Sequence, residues 1–168
     1  MNDYILSDLS QPTAPAAWHG FSDQVMGGVS QEQVTVETIA ERRAIRLRGM
    51  VRLEHSGGFV QIALPLGAAG QPLAAHGYCG IRLLVWGNGE EYRVHLRTSD
   101  CLRPQQFYWQ PFVAHPTWQQ VTLPFDAFTA KWLAAPLNTL QLTRLGVVAY
   151  GRPFAADVAV TQVALYGA

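Results

Sequence analysis

Apolar and polar residues alternate with a period of two along much of this chain, and the 3.6-residue period of an amphipathic helix is scarce. The longest alternation runs from Ala44 to Leu53. Ile45, Leu47, Val51 and Leu53 fall on one side, and Arg46, Arg48, Met50 and Arg52 on the other. This is the pattern of a half-buried strand. Gly49 breaks its apolar side and marks a bulge or a close backbone contact, and the arginine row reads as a solvated outer face. Shorter strands are expected at about 4–7 on a sheet edge, and at 34–38, 59–64, 117–123, 142–150 and 158–166. Gln105 to Phe112 is a further strand, with aromatic residues on both sides. Residues 65–77 are rich in Pro, Gly and Ala and read as a loop; 125–128 form a compact turn, and 131–142 hold at most a short helix.

The clearest hairpin is expected between Ile81–Trp86 and Glu91–Arg97, with Gly87-Asn88-Gly89-Glu90 as the turn. With Trp86 facing Glu91, Val85 meets Tyr92, Leu83 meets Val94 and Ile81 meets Leu96, all apolar and on one face. Ten or more short strands with almost no helix predict an all-β sandwich or barrel, and the lack of βαβ alternation excludes a parallel α/β sheet.

Composition narrows the function classes. A chain of 168 residues is expected to form one domain spanning 1–168. With 49% hydrophobic and 14% charged residues it is globular rather than disordered. Twelve basic residues balance twelve acidic ones, which argues against nucleic acid as a partner. Cys79 and Cys101 lack a CxxC spacing and read as two free, buried thiols. Residues 1–8 have no basic leader pattern, and no apolar run approaches the ~20 residues of a membrane span. A cytoplasmic protein that does not span a membrane is the expectation.

The most unusual stretch is Trp18-His19-Gly20-Phe21-Ser22-Asp23-Gln24-Val25-Met26-Gly27-Gly28-Val29-Ser30. It resembles the opening motif of the complex I intermediate-associated protein family, the thirty-kilodalton class. Later landmarks follow in the same order: Gly49, Gly57-Gly58-Phe59, Gly87-Asn88-Gly89, Tyr108, Trp118, Pro124-Phe125 and Leu145-Gly146. The resemblance covers about 15–166. It implies a galactose-binding-like β-sandwich, a jelly roll of two antiparallel sheets. It also implies a non-catalytic binding module similar to respiratory complex I assembly factors, with respiratory-complex subunits as candidate partners. This chain is similar to the stand-alone bacterial members of that family.

Within the motif, Trp18, Phe21 and Met26 are expected to anchor the core. Gly27-Gly28 makes the bend, Ser30 satisfies backbone groups, and Gly57, Gly58 and Phe59 open the next strand. Asp23 is the motif's one acid. It either serves a ligand or accepts backbone N–H groups in a local Asx-type turn, and the second reading is preferred. The five histidines at 19, 55, 76, 95 and 115 lack metal-binding spacing, so no metal and no cofactor is expected. No nucleophile motif appears. An enzyme would need a pocket uniting Asp23, Arg97 and a histidine, and a non-enzyme is the preferred reading. If 105–112 pairs with 91–97, His95 lies opposite Phe107 and Arg93 opposite Trp109. Leu84 and Trp86 then join them in an aromatic, cationic face. The candidate ligand- or partner-binding residues are therefore Asp23, Arg93, His95, Arg97, Tyr108 and Trp109. The alternative to a protein-contact module is a carbohydrate- or small-ligand-binding jelly roll.

Overall fold

A computed structural model describes residues 2–68 and 70–168. Twelve strands form two antiparallel sheets: β1 (Tyr4–Asp8), β2 (His19–Ser22), β3 (Gln31–Ile39), β4 (Arg42–Val51), β5 (Phe59–Pro65), β6 (Gly80–Gly87), β7 (Glu91–Thr98), β8 (Phe107–Val113), β9 (Gln119–Pro124), β10 (Thr129–Lys131), β11 (Leu142–Tyr150) and β12 (Phe154–Tyr166). The first sheet runs β3-β4-β12-β6-β9, with β1 paired to the far end of β12. The second runs β10-β8-β7-β11-β5-β2. The helical content among the described residues is four short 3-10 turns, at 14–17, 23–26, 54–56 and 125–127. This is the expected β-sandwich of two antiparallel sheets.

The core lies between the sheets because each strand turns alternate residues inward. Ile45, Leu47 and Val51 from β4 meet Val60, Ile62 and Leu64 from β5 in one continuous buried cluster. Leu53 lies beyond the end of β4 and is exposed. Gly49 stays in register on both sides of β4. A Cβ there would come within 2.2 Å of the Gln31 carbonyl, so the glycine permits a close backbone approach and not a bulge. Arg46 and Arg48 of β4 face outward and are ion-paired: Arg46 with Glu37 and Asp157, and Arg48 with Glu37. Residues 131–142 contain no helix beyond the last residue of β10. Cys101 is buried and free, whereas Cys79, expected to be buried, is exposed.

The hairpin expected at 81–97 is not a hairpin. β6 bonds to β12 and β9, while β7 bonds to β11 and β8. Both edges of each strand are taken, and residues 88–90 arch from one sheet to the other. The matched sets Ile81, Leu83, Val85 and Tyr92, Val94, Leu96 do point into one core, but from opposite sides. Such a match is identical for two strands facing each other across a sandwich and for one face of a hairpin. The arch is pinned by Gly87 N–H to the His115 carbonyl (2.8 Å) and Gly89 N–H to the Ala114 carbonyl (2.7 Å). The Tyr92 hydroxyl donates to Asn88 Oδ1 at 2.6 Å and accepts the Asp157 N–H at 2.8 Å.

The Trp18–Ser30 stretch is organised by the fully buried Asp23. Its Oδ1 accepts Ser30 N–H at 2.9 Å, and its Oδ2 accepts Ser30 Oγ–H at 2.5 Å, Gly58 N–H at 2.6 Å and Phe59 N–H at 3.2 Å. The Ser30 hydroxyl in turn accepts Arg52 N–H at 2.8 Å. These partners are far off in the chain, unlike the local Asx turn expected; it is the preceding Ser22 that caps the 23–26 turn by accepting Gln24 N–H. A Cβ on Gly28 or Gly57 would lie 2.5 Å from the Asp23 carboxylate, so both glycines make room for it. Gly27 (φ 87°) ends the turn in the left-handed region. Trp18 is buried as expected, with its indole N–H on Ser7 Oγ at 3.1 Å. Phe21 is half-buried and Met26 is exposed, so neither anchors the core.

Burial pushes the Asp23 pKa up, but the hydrogen bonds from Ser30, Gly58 and Phe59 outweigh it and hold the carboxyl below its usual range. Asp23→Ala leaves buried donors without acceptors and is expected to cost about 3 kcal/mol or more in urea unfolding, since each unsatisfied buried group costs ~1–3 kcal/mol. An unchanged unfolding midpoint would show that water or a rearranged loop satisfies them.

Candidate functional site

The outward side of the second sheet is where side chains are left without core partners. β5 and β11 pair so that Gln61 faces Val148, and β11 and β7 so that Gly146 faces His95. A Cβ on Gly146 would come within 2.1 Å of Gln61 Oε1, so the Gln61 side chain lies flat across that glycine. Beside it a groove of about 360 Å³ opens, floored by Gln61, His95, Phe107 and Tyr150. Phe21, Val25 and Met26 wall one side and Pro104 the other, with Arg144 between. A second hollow of about 320 Å³ continues from it past Met26, Phe59 and Tyr150 to Lys131 and Trp132.

His95 stacks on Phe107 with ring centroids 3.9 Å apart and planes 11° from parallel. The Tyr150 ring meets the His95 ring edge-on at 5.4 Å. His95 is only 7% exposed, and its Nε2 has no hydrogen-bond partner among the described residues. Burial, reinforced by Arg93, Lys131 and Arg144, pushes its pKa down to about 3, so the imidazole is neutral at pH 7. A neutral imidazole can donate or accept through Nε2 according to tautomer.

The cations are arranged without acids. Arg93 lies 3.9 Å over the Trp109 ring and 4.5 Å over the Tyr150 ring. Arg144 lies 5.3 Å over Phe21. Lys131 Nζ sits 4.9 Å from the Tyr150 ring and donates to its hydroxyl. None of the three pairs with a carboxylate among the described residues. Arg97 differs, because its guanidinium is spent on the carbonyls of Cys101, Arg103, Pro104 and Gln106. It clamps the loop that carries Pro104. Gln106 extends the clamp by donating to the Trp132 carbonyl at 3.1 Å. Trp132 is 72% exposed and has φ 61°, a left-handed conformation that costs a bulky residue roughly 1–2 kcal/mol.

Set against the sequence candidates, the groove face holds Arg93, His95, Arg97 and Trp109. The register differs from the expected one by two residues: His95 pairs with Trp109 and Arg93 with Pro111. The expected His95–Phe107 and Arg93–Trp109 contacts therefore form diagonally. Tyr108 points the other way, buried at 1% exposure with its hydroxyl donating to the Ala135 carbonyl. Asp23 lies behind the Gly58 backbone and is not a lining residue. The pocket thus unites Arg97 and a histidine but not Asp23. Leu84 and Trp86 belong to the other sheet, where Arg46 covers the Trp86 ring at 5.1 Å. Gln61, Lys131, Trp132, Arg144 and Tyr150 were not among the candidates. Arg144 and Tyr150 are legible in hindsight from the alternation of 142–150, but no local signal marks Trp132.

The family model for complex I intermediate-associated protein 30 (CIA30) matches residues 7–152. The chain belongs to this family. No curated protein sequence matches it significantly. Among solved structures, it is similar to the family 11 carbohydrate-binding module of a cellulosomal cellulase of Clostridium thermocellum, with TM-score 0.78, 11% identity, and 100% of this chain and 96% of that one covered. A structure of the family 11 module from the same organism in complex with a β-1,3-1,4-mixed-linked tetrasaccharide has TM-score 0.78 at 12% identity, covering 99% and 96%. The family 30 module of another cellulosomal cellulase of C. thermocellum has TM-score 0.68 at 15% identity, covering 99% and 98%. These likenesses establish the fold of this family member as a jelly-roll β-sandwich. No helix among its described residues is long and apolar enough to cross a membrane.

The depressed pKa of His95 has a consequence for stability. Its unfolded form binds a proton below about pH 6.5 while the folded form resists until about pH 3, so stability falls as pH drops through that window. His95→Phe keeps an aromatic stack on Phe107 and removes this acid sensitivity. The gap between urea midpoints at pH 7.5 and pH 4.5 is expected to be narrower in the variant than in the wild type. Equal gaps would place His95 in a more hydrated setting.

Proposed function

We propose that this chain is a non-catalytic glycan-binding module that holds an oligosaccharide along the groove on its second sheet. The observation that carries this reading is the buried, unpartnered Nε2 of His95 in the floor of an aromatic groove. A buried polar atom without a partner costs free energy, and a ligand hydroxyl is a partner of the right size. Tyr150 and Trp132 offer apolar ring surface for the C–H faces of sugar rings, and Gln61 offers an amide. The likeness to the tetrasaccharide-bound family 11 module supports the same direction.

A second reading, the protein-contact role of an assembly factor with respiratory-complex subunits as partners, is favoured by one feature. Val25 is 70% and Met26 51% exposed on the groove wall. Apolar side chains so placed suit coverage by a folded partner.

The test is calorimetric titration of the purified chain against a panel of neutral and acidic oligosaccharides. Binding is expected for at least one class. Trp132→Gly is expected to lower that affinity about tenfold, or ~1.4 kcal/mol, while raising stability by about 1 kcal/mol through relief of the left-handed strain. A panel without a binder sinks the glycan reading. Retention of full affinity in Trp132→Gly removes the second hollow from the site.

A further inference from the structure

Arg144 and Lys131 in the groove, with Arg93 beside it on the same sheet face, set this region apart from the rest of the surface. On the opposite sheet, Arg46, Arg48 and Arg82 are each paired with a carboxylate, and Arg42 and Arg43 share a hollow with Asp8 and Glu41, Arg43 donating to the Leu9 and Gln11 carbonyls. At the sandwich edges Arg52 pairs with Glu54 and Arg152 with Glu90. The groove cations have aromatic rings and a tyrosine hydroxyl instead. No aspartate or glutamate lines either hollow. Glu91 stands on the same face, exposed at the start of β7 and two residues from Arg93, and the Asp23 carboxylate lies behind the Gly58 backbone with its own donors. A chain with twelve positive and twelve negative side chains thus concentrates uncompensated positive charge in one concavity.

Such a site is costly when empty. Burial lowers the pKa of both Arg93 and Arg144, which is to say that desolvation disfavours their charge. A hydroxyl-only ligand would desolvate them further and return hydrogen bonds charged on the donor side alone. A carboxylate or sulfate returns a bidentate bond to a guanidinium that is charged on both sides and offsets the desolvation of the cation. Field lines from the three cations converge where the floor is apolar and screening is weakest.

We propose that the groove selects acidic oligosaccharides, whose sugar rings carry carboxylate or sulfate groups, over neutral ones. Arg144 takes the anionic group in the first hollow and Lys131 in the second. Tyr150 and His95 form the floor against which the sugar ring lies. The inference rests on the glycan-binding reading.

The experiment titrates the full chain with three probes: a hexagalacturonate, a sulfated carrageenan hexasaccharide and the mixed-linked β-1,3-1,4-glucan tetrasaccharide. One or both acidic probes are expected to bind at least tenfold tighter than the neutral one. Raising sodium chloride from about 50 to about 500 mM is expected to weaken that binding roughly tenfold, because screening shortens the reach of the cations. Which acidic probe binds separates carboxylate from sulfate recognition. Arg144→Gln is expected to abolish the preference, and Arg152→Gln, paired with Glu90 outside the groove, to leave it intact. The salt titration of the wild type decides the matter should Arg144→Gln fail to fold. Neutral glucan binding as tightly as the acidic probes, or acidic binding indifferent to salt, overturns the selectivity and leaves the glycan reading standing. No binding by any probe overturns both.

Discussion

The carboxylate of Asp23 is the constraint on which the groove depends. A charge held at 0% exposure is tolerated only if donors surround it, and here they come from Ser30, Gly58 and Phe59. Those donors lie on two separate stretches of chain, the loop before β3 and the start of β5, while Asp23 itself begins the turn after β2. One side chain therefore fixes the relative positions of segments that pairing alone does not join. Gly28 and Gly57 have no room for a Cβ because the carboxylate fills that space. The 3-10 turn that Asp23 begins carries Val25 and Met26 outward, where they form the groove wall. Phe59, whose N–H reaches Asp23, presents its ring to Phe21 at 5.9 Å on the same wall. The bare Cα positions of Gly28 and Gly57 and the groove wall are thus two results of one buried anion.

A second dependence runs through the Arg97 clamp. Four carbonyls of the 101–106 loop converge on one guanidinium, which supplies the donors a turn without regular pairing lacks. Gln106 carries the same order to Trp132. The far wall of the groove and the strained indole are consequently held by polar bonds, not by packing. Both walls are held by polar bonds around a floor whose own polar atom, His95 Nε2, is buried without a partner among the described residues. Stability is given up at the floor and recovered in the supports, the distribution expected of a preformed binding surface.

The sheets were legible in the sequence because alternation depends only on which side of a strand is buried. Strand positions at 44–53, 59–64, 105–112 and 142–150 follow from it directly. Partnership did not follow. Ile81, Leu83 and Val85 match Tyr92, Val94 and Leu96 equally well across a ladder and across a core, and the 87–90 segment contains glycines suited to either connection. That ambiguity placed Leu84 and Trp86 on the wrong sheet. The motif was read as architecture, which holds for Trp18 and Asp23. Phe21 and Met26 were assigned inward because large apolar residues usually are; on this chain they face the groove. Arg93, His95 and Trp109 were legible as neighbours since β7 and β8 are joined by a short loop. Lys131 and Trp132 were not, because they reach the site through the β10–β8 pairing and the residue that follows it, which only the folded sheet defines.

Net charge was misleading for the same reason. A balance of twelve and twelve says nothing about where each sign sits. Pairing on the first sheet removes acids and arginines together, and what remains on the second is cationic and aromatic. The jelly-roll core explains why a family 11 module shares this shape at 11% identity: inward positions need only be apolar and of fitting size. Outward positions on the groove sheet carry no such constraint, so they are free to differ in chemistry while the backbone stays alike. The proposed ligand preference therefore rests on Arg144, Lys131, His95 and Tyr150 themselves and not on the likeness of the backbone. A neutral imidazole set among uncompensated cations is an arrangement that a hydroxyl beside an anionic group completes, and a hydroxyl alone does not.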